Sequence, residues 1–165
     1  MLRAAGALAV FISCATIGIY KSFRLKKRCD SLSVLILCVK HIGAETAFSK
    51  RRIESILNST AREFDMMLLA NTAAKIKYSG VQKAWCDSLE EYRQELALSA
   101  RDISAASTLG AVSDFTGEEQ QKCIHTCERL LELALGEASE DYNRTAKLFR
   151  SGGILCGMLA VILLL

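Results

Sequence analysis

Four residues of the sequence have the types and the spacing of a metal site. Cys38 and His41 stand three residues apart, and Cys123 and Cys127 stand four apart. On helices these separations place each pair on one face, and three sulfurs with one imidazole nitrogen suit a tetrahedral zinc ion. His125 would project about 200° away from Cys123 and cannot join that pair. Cysteines on an apolar helical face usually pack as small hydrophobic residues, and the two pairs are far apart in sequence. We therefore expect packing here, with no metal and no other cofactor.

Other catalytic chemistry lacks its usual side chains. The sequence contains no P-loop, dinucleotide-binding fingerprint, nucleophile elbow or HExxH pattern, and it has only two histidines. A net charge of +3 with 7% aromatic residues does not favour nucleic-acid binding. Trp85, the single tryptophan, is expected to anchor a core. The composition predicts a protein that is not an enzyme and does not bind nucleic acid.

The cysteines indicate a reducing compartment. Of the seven, Cys14 and Cys156 lie in apolar ends of the chain, which leaves an odd number elsewhere. Small secreted domains carry even numbers of cysteines at regular spacings. A cytosolic location is therefore expected for the middle of the chain.

The N-terminal apolar segment, residues 4–20, has the composition of a transmembrane helix. It is free of charge, spans about 25 Å as a helix, and ends on Tyr20 at an interfacial position. Only Arg3 precedes it, whereas five basic residues follow it closely: Lys21, Arg24, Lys26, Lys27 and Arg28. By the positive-inside rule, residue 21 onward is predicted to lie in the cytoplasm.

An alternative for the same segment is export as a lipoprotein. The run Phe11-Ile12-Ser13-Cys14 resembles a cleavage box that would make Cys14 the lipidated first residue of an exported binding domain. Phe11 stands where leucine is usual, and export would place the basic run outside the cell. The transmembrane interpretation is preferred.

A second apolar segment, residues 151–165, closes the sequence, and it too has basic residues on the side of the middle region: Arg144, Lys147 and Arg150. Both segments thus predict one topology, although fifteen residues cover only about 22 Å. Small residues that recur at four-residue spacing predict close packing of the two spans. These are Ala5, Ala9, Ser13, Gly153 and Gly157.

Residues 21–150 are predicted to form an all-α bundle of six helices. Proline is absent, and apolar residues recur every three to four positions. Four pairs resemble capping boxes at helix starts, and Gly110 is expected to end the fifth helix as a left-handed cap. The pairs are Thr60 with Glu63, Ser79 with Gln82, Ser99 with Asp102, and Thr116 with Glu119.

The first and last helices are predicted to be long, to continue into the two spans, and to pack antiparallel. Their apolar stripes, residues 25–42 and 124–149, have comparable lengths and would otherwise face water. Each large apolar side chain left exposed costs roughly 1.5–3 kcal/mol. A chain that leaves the membrane at Lys21 and returns at Arg150 must bring both residues to one surface.

The order of these features resembles the stage III sporulation protein AB family over essentially the whole chain. The strongest likeness is the stretch from Lys147 to Gly153 with its apolar tail, and short matches lie along the rest of the chain: Glu45-Thr46, Ala84-Trp85, Leu109-Gly110 and Ser113-Asp114. The family pattern has prolines where this chain has Cys29-Asp30 and Lys50-Arg51, and residues 111–119 form a longer segment here.

The resemblance implies a helical fold similar to the cytoplasmic domain of the type II secretion platform protein F. It also implies a non-catalytic platform in the mother-cell membrane that engulfs the forespore, as part of a secretion-like channel complex. The implied partners are the membrane, other channel components and a cytoplasmic ATPase of the stage III sporulation protein AA type. Self-association of the chain is left open.

Overall fold

The computed structural model describes the backbone of residues 2–49 and 51–164, and the side chains of residues 20–49 and 51–145. Within these ranges the fold is all-helical, which confirms the predicted class and the six α-helices. They are α1 Leu2–Phe48, α2 Ile53–Glu63, α3 Met67–Ser79, α4 Val81–Tyr92, α5 Ala100–Ser107 and α6 Glu118–Leu164, with a 3-10 helix at Thr108–Ser113.

The two longest helices, α1 and α6, have 47 residues each, or about 70 Å. They pack against each other more extensively than any other pair of helices in the described structure. The contacts run in opposite chain directions, since Arg28 lies near Asp141 whereas Gly43 lies near Gln121. The predicted antiparallel packing is confirmed. Leu32 and Leu131, one from each predicted stripe, are fully buried.

The bundle has two ends, which we call the base, near Tyr20, and the tip, near Phe48. Helices α2, α3 and α4 alternate in direction: Lys77 of α3 lies 3.4 Å from Glu54 of α2, and Asn71 of α3 bonds Glu91 of α4. The chain therefore passes from the tip at the start of α4 towards the base at its end. Helix α5 then returns along α6 to the tip.

A single core joins these helices, and Trp85 of α4 lies in it with only 2% of its surface exposed. Its indole Nε1–H donates to the carbonyl oxygen of Ala106 at 2.7 Å. The bond satisfies the buried donor, so Trp85 joins α4 to α5 as the predicted core anchor.

Three of the four expected capping boxes are wrong. Thr60 lies inside α2 and its hydroxyl donates to the carbonyl of Ile56, while Ser79 does the same to Lys75 in the last turn of α3. Helix α6 begins at Glu118, after Gly117 at a φ of 62°. Serine and threonine hydroxyls can donate to a backbone carbonyl inside a helix as well as cap the start of a helix. The capping-box spacing alone therefore does not decide where a helix begins. Only Ser99 with Asp102 forms a capping box.

Gly110 also differs from its expected role. Helix α5 ends at Ser107, and Gly110 lies within the following 3-10 helix rather than at a left-handed cap. A Cβ atom there would lie 3.2 Å from the Cα of Gln82 and 3.3 Å from Cδ1 of Trp85. Glycine is therefore needed because α4 approaches the 3-10 helix closely.

Candidate functional site

The basic residues that follow Tyr20 lie on α1 at the base of the bundle. Lys21, Arg24, Lys26 and Lys27 are exposed, as is Arg144 on α6. Lys147 and Arg150 lie outside the residues whose side chains are described. The exposed cations at this end of the bundle can bind anionic groups.

Arg28 is bound differently from the other basic residues of this cluster. Its Nε donates to Oδ2 of Asp102 at 2.7 Å, and its Nη2 donates to Oδ1 at 2.8 Å. The Arg28 side chain is 12% exposed and that of Asp102 is fully buried. This bidentate ion pair connects α1 to the start of α5. There Asp102 also accepts a hydrogen bond from the backbone N–H of Ser99.

The surroundings of Asp102 keep it charged. Burial alone would raise the pKa of this carboxyl, but hydrogen bonds from Arg28 and Ser99 outweigh burial and lower it below its usual value. The same hydrogen bond raises the pKa of Arg28 against the effect of burial. Both side chains are therefore charged at neutral pH, and the guanidinium of Arg28 is bound mainly to Asp102.

The connection between α4 and α5 reaches the same end of the bundle. Arg24 Nη2 lies 3.4 Å from Oε1 of Gln94, and Arg28 Nη2 lies 3.4 Å from Oγ of Ser99. The other connections that the structure describes lie at the tip, except residues 64–66. Those lie beside Cys38, ten residues before the end of α1. The base therefore consists of α1, α6 and this connection.

A groove of about 480 Å³ lies at the tip between α1 and α6. Small residues of α1 line it. Ala44 and Ala47 have short, exposed side chains, and Gly43 lets α1 approach α6 so closely that a Cβ there would lie 3.0 Å from Cγ2 of Ile124. Lys122 also lines it and has no ion-pair partner within the described residues. The groove combines a floor of small residues with a free positive charge.

Lys40 crosses the groove and connects the two long helices. Its Nζ lies 3.2 Å from Oε1 of Glu128 and 2.9 Å from Oε1 of Glu132 on α6. Gln121 of α6 donates to the carbonyl oxygen of Gly43 at 3.2 Å. These bonds set the register of α1 against α6 at the tip, as Arg28 and Asp141 do near the base at 3.7 Å.

The structure does not bring the four zinc-candidate residues together. The Cys38 thiol lies 3.6 Å from the sulfur of Met66, and His41 lies 3.4 Å from Glu63. Cys123 and Cys127 instead donate to backbone carbonyls of the 3-10 helix and α5. Among residues with described side chains, no group of three or more potential ligands could hold a metal ion.

Burial also makes two of these thiols poor nucleophiles. It raises the pKa of Cys38 and of Cys127 to about 12, because the thiolate would lose its hydration. Cys29, Cys86 and Cys123 have pKa values raised by burial as well. At neutral pH the described cysteines are therefore mainly thiols rather than thiolates.

The segment from Tyr20 to Phe48 of α1 is long and apolar enough to cross a membrane. Its most apolar residues, among them Leu35 and Ile42, are fully buried against the rest of the bundle. The same helix continues towards the N-terminus through residues 4–19. The residues predicted to pack the two spans lie outside the described side chains: Ala5, Ala9, Ser13, Gly153 and Gly157.

Comparison with known proteins agrees with the resemblance seen in the sequence. The family model described as Stage III sporulation protein AB matches residues 3–165. No curated protein and no solved structure matches the chain.

Proposed function

Because this chain belongs to the stage III sporulation protein AB family, we propose that it is a non-catalytic membrane platform of a sporulation-specific, secretion-like complex. The membership itself gives a role in sporulation, and this family is not a known enzyme family. The platform role, the partners and the location in the mother-cell membrane are the proposal.

One observation carries it: the two longest helices extend beyond the same end of one bundle. Arg28 of α1 lies opposite Asp141 of α6, and both helices continue past these residues into the apolar runs 4–20 and 151–165. Two helices that leave a bundle side by side can enter one membrane together. The exposed cations at the base then favour a cytoplasmic bundle, since positive residues are retained on that side.

The inert cysteines support a role without catalysis. The described thiols have raised pKa values, and two ion pairs, Arg28 with Asp102 near the base and Lys40 with Glu132 near the tip, join helices of the bundle. Such a bundle is suited to holding a partner in place. An ATPase of the stage III sporulation protein AA type is the partner that we propose, together with other channel components.

The tip groove is the surface that we assign to the ATPase. It faces away from the proposed membrane, where a cytoplasmic protein has access. Its floor of Gly43, Ala44 and Ala47 leaves room for a helix, and Lys122 favours acidic side chains on that helix.

A pull-down with the purified ATPase tests this assignment. Ala44→Glu introduces bulk and a negative charge into the groove. We expect it to reduce capture about tenfold or more, and a tenfold loss of affinity corresponds to about 1.4 kcal/mol of binding free energy. Ala74→Glu is the matched control, because Ala74 is an exposed alanine on α3, away from the groove. Equal capture by the two variants would reject the groove. Absence of capture by the unaltered protein would reject docking of this ATPase altogether.

A further inference from the structure

The connection between α4 and α5, residues 93–98, is placed at the base without any sequence signal for that position. We call it the base loop. Gln94 of the loop contacts Arg24, and the residues that follow the loop, Ser99 and Asp102, bind Arg28. The ion pair between Arg28 and Asp102 is bidentate and largely buried. It therefore fixes the position of the base loop along the axis of α1.

That position can be expressed relative to Tyr20, the last residue of the proposed span. Arg24 lies four residues further along α1, which is about 6 Å of helix. The polar layer on each side of a bilayer is about 5–8 Å thick, from the difference between the whole bilayer and its hydrocarbon core. If α1 crosses the membrane as proposed, the base loop lies at the level of the lipid headgroups.

The side chains at this level match that environment. Tyr20 and Phe23 are 64% and 66% exposed, as expected of aromatic residues at a membrane interface. Lys21, Arg24 and Lys27 are exposed and can bind phosphate groups, while Glu95 is the exposed acidic residue of the base loop. The surface is therefore amphipathic and mainly basic.

We propose that the base loop and these cations of α1 form a second, peripheral contact with the membrane, whose ligands are the headgroups of anionic phospholipids. The inference rests on the proposed function, since it needs a membrane-anchored chain. The contact fixes the tilt of the bundle on the membrane and thereby the direction in which the tip faces. Basic residues this close to an anionic membrane surface are attracted to it.

Tryptophan quenching in vesicles tests the contact with the full chain. Gln94→Trp places a reporter in the base loop, and Ser113→Trp places a matched reporter at an exposed position of the 3-10 helix near the tip. Trp85 contributes a constant background because it is buried. The quencher is a phosphatidylcholine with a nitroxide on its headgroup, in vesicles of phosphatidylcholine with or without phosphatidylglycerol.

We expect at least about twofold stronger quenching of Gln94→Trp than of Ser113→Trp, with a further increase when phosphatidylglycerol is present. Adding Arg24→Gln and Lys27→Gln should remove that increase. Equal quenching of the two reporters in protein that floats with the vesicles would overturn the base-loop contact alone. Quenching that does not respond to phosphatidylglycerol would overturn the choice of anionic headgroups. Failure of the full chain to float with vesicles would contradict the proposed function as well.

Discussion

Replacing Asp102 with alanine removes the buried partner of Arg28 and the capping box of α5 together. The carboxylate accepts two hydrogen bonds from the guanidinium and one from the backbone N–H of Ser99. Without it, the guanidinium of Arg28, which is 12% exposed, keeps its charge but loses its principal anion. The other carboxylate near it, Asp141, is 3.7 Å away on an exposed side chain. The variant therefore leaves a partly buried charge without compensation.

The expected loss of stability is about 4 kcal/mol. Removing one member of a buried ion pair costs about 3–5 kcal/mol, and the lower part of that range applies because Arg28 retains some access to water. Loss of the capping interaction adds about 1 kcal/mol. The free energy of unfolding of a domain this size is only about 5–15 kcal/mol, so the variant should lose roughly a quarter to four-fifths of its stability.

Urea unfolding of the full chain in mild detergent, followed by the fluorescence of Trp85, measures this difference. Arg28→Met combined with Asp102→Ala should recover much of the loss, since no charge then remains buried. Glu91→Ala, which breaks an exposed ion pair with Lys75, is the control and should have a far smaller effect. A loss below about 1 kcal/mol for Asp102→Ala would refute the buried tie.

The same variant has a pH signature. The pKa of Asp102 is lowered on folding from an ordinary value of 3.8, so its contribution to stability is complete above that value. It is lost as the pH falls through the lowered pKa of the folded protein. The difference between the unaltered protein and Asp102→Ala should thus be constant near neutral pH and shrink below pH 3.8.

Three further predictions concern the topology, the cysteines and a tightly packed glycine. Neutralising the basic cluster should weaken or scramble the topology, seen as altered protease protection of the bundle; the changes are Lys21→Gln, Arg24→Gln, Lys26→Gln, Lys27→Gln and Arg28→Gln. Replacing the cysteines outside the apolar ends by alanine should preserve the fold and sporulation, with losses of about 1 kcal/mol at buried sites; a loss of function reversed by zinc would restore the metal hypothesis. Gly110→Ala should lower the free energy of unfolding in urea by about 1–3 kcal/mol, because its Cβ would lie 3.2 Å from the backbone of Gln82. Gly136→Ala is the control: no atom lies within 4 Å of a Cβ at this exposed helical position, so the free energy of unfolding should rise by about 0.5–1 kcal/mol. Equal effects of the two glycine variants would contradict the packing explanation.

The large-scale architecture was predictable because it follows from periodicity. Apolar residues every three to four positions over residues 25–42 and 124–149 predicted two long helices whose apolar stripes face each other. In the structure Leu32 and Leu131, one from each stripe, are fully buried. Helix starts were less predictable. Thr60 has the spacing of a cap, yet its hydroxyl has a carbonyl within reach inside α2.

The candidate sites depended on contacts that sequence patterns do not contain. Arg28 is one of five basic residues in the cluster, and only the approach of Asp102, 74 positions away, distinguishes it. Likewise, Ala44 and Lys122 come together in the tip groove because α1 and α6 adopt a particular register. The Ser99 to Asp102 capping box was visible in the sequence, but its second role as the anion for Arg28 was not.

The central claim, two spans that enter one membrane side by side, is tested most directly by cross-linking between residues 14 and 156. The contacts of residue 28 with 141 and of residue 40 with 128 and 132 define the antiparallel register of α1 and α6. Continued along both helices, that register predicts that positions 14 and 156 lie at the same level. Both are cysteines, so a variant whose other cysteines are alanine carries the reporter pair already.

Oxidation of this variant in native membranes with copper phenanthroline should give a disulfide within one chain, identified by mass spectrometry as a peptide joining Cys14 to Cys156. Cys156→Ala should abolish it. We expect this intramolecular product to be the main one. Its absence, or cross-links found only between separate chains, would contradict an antiparallel pair of membrane spans.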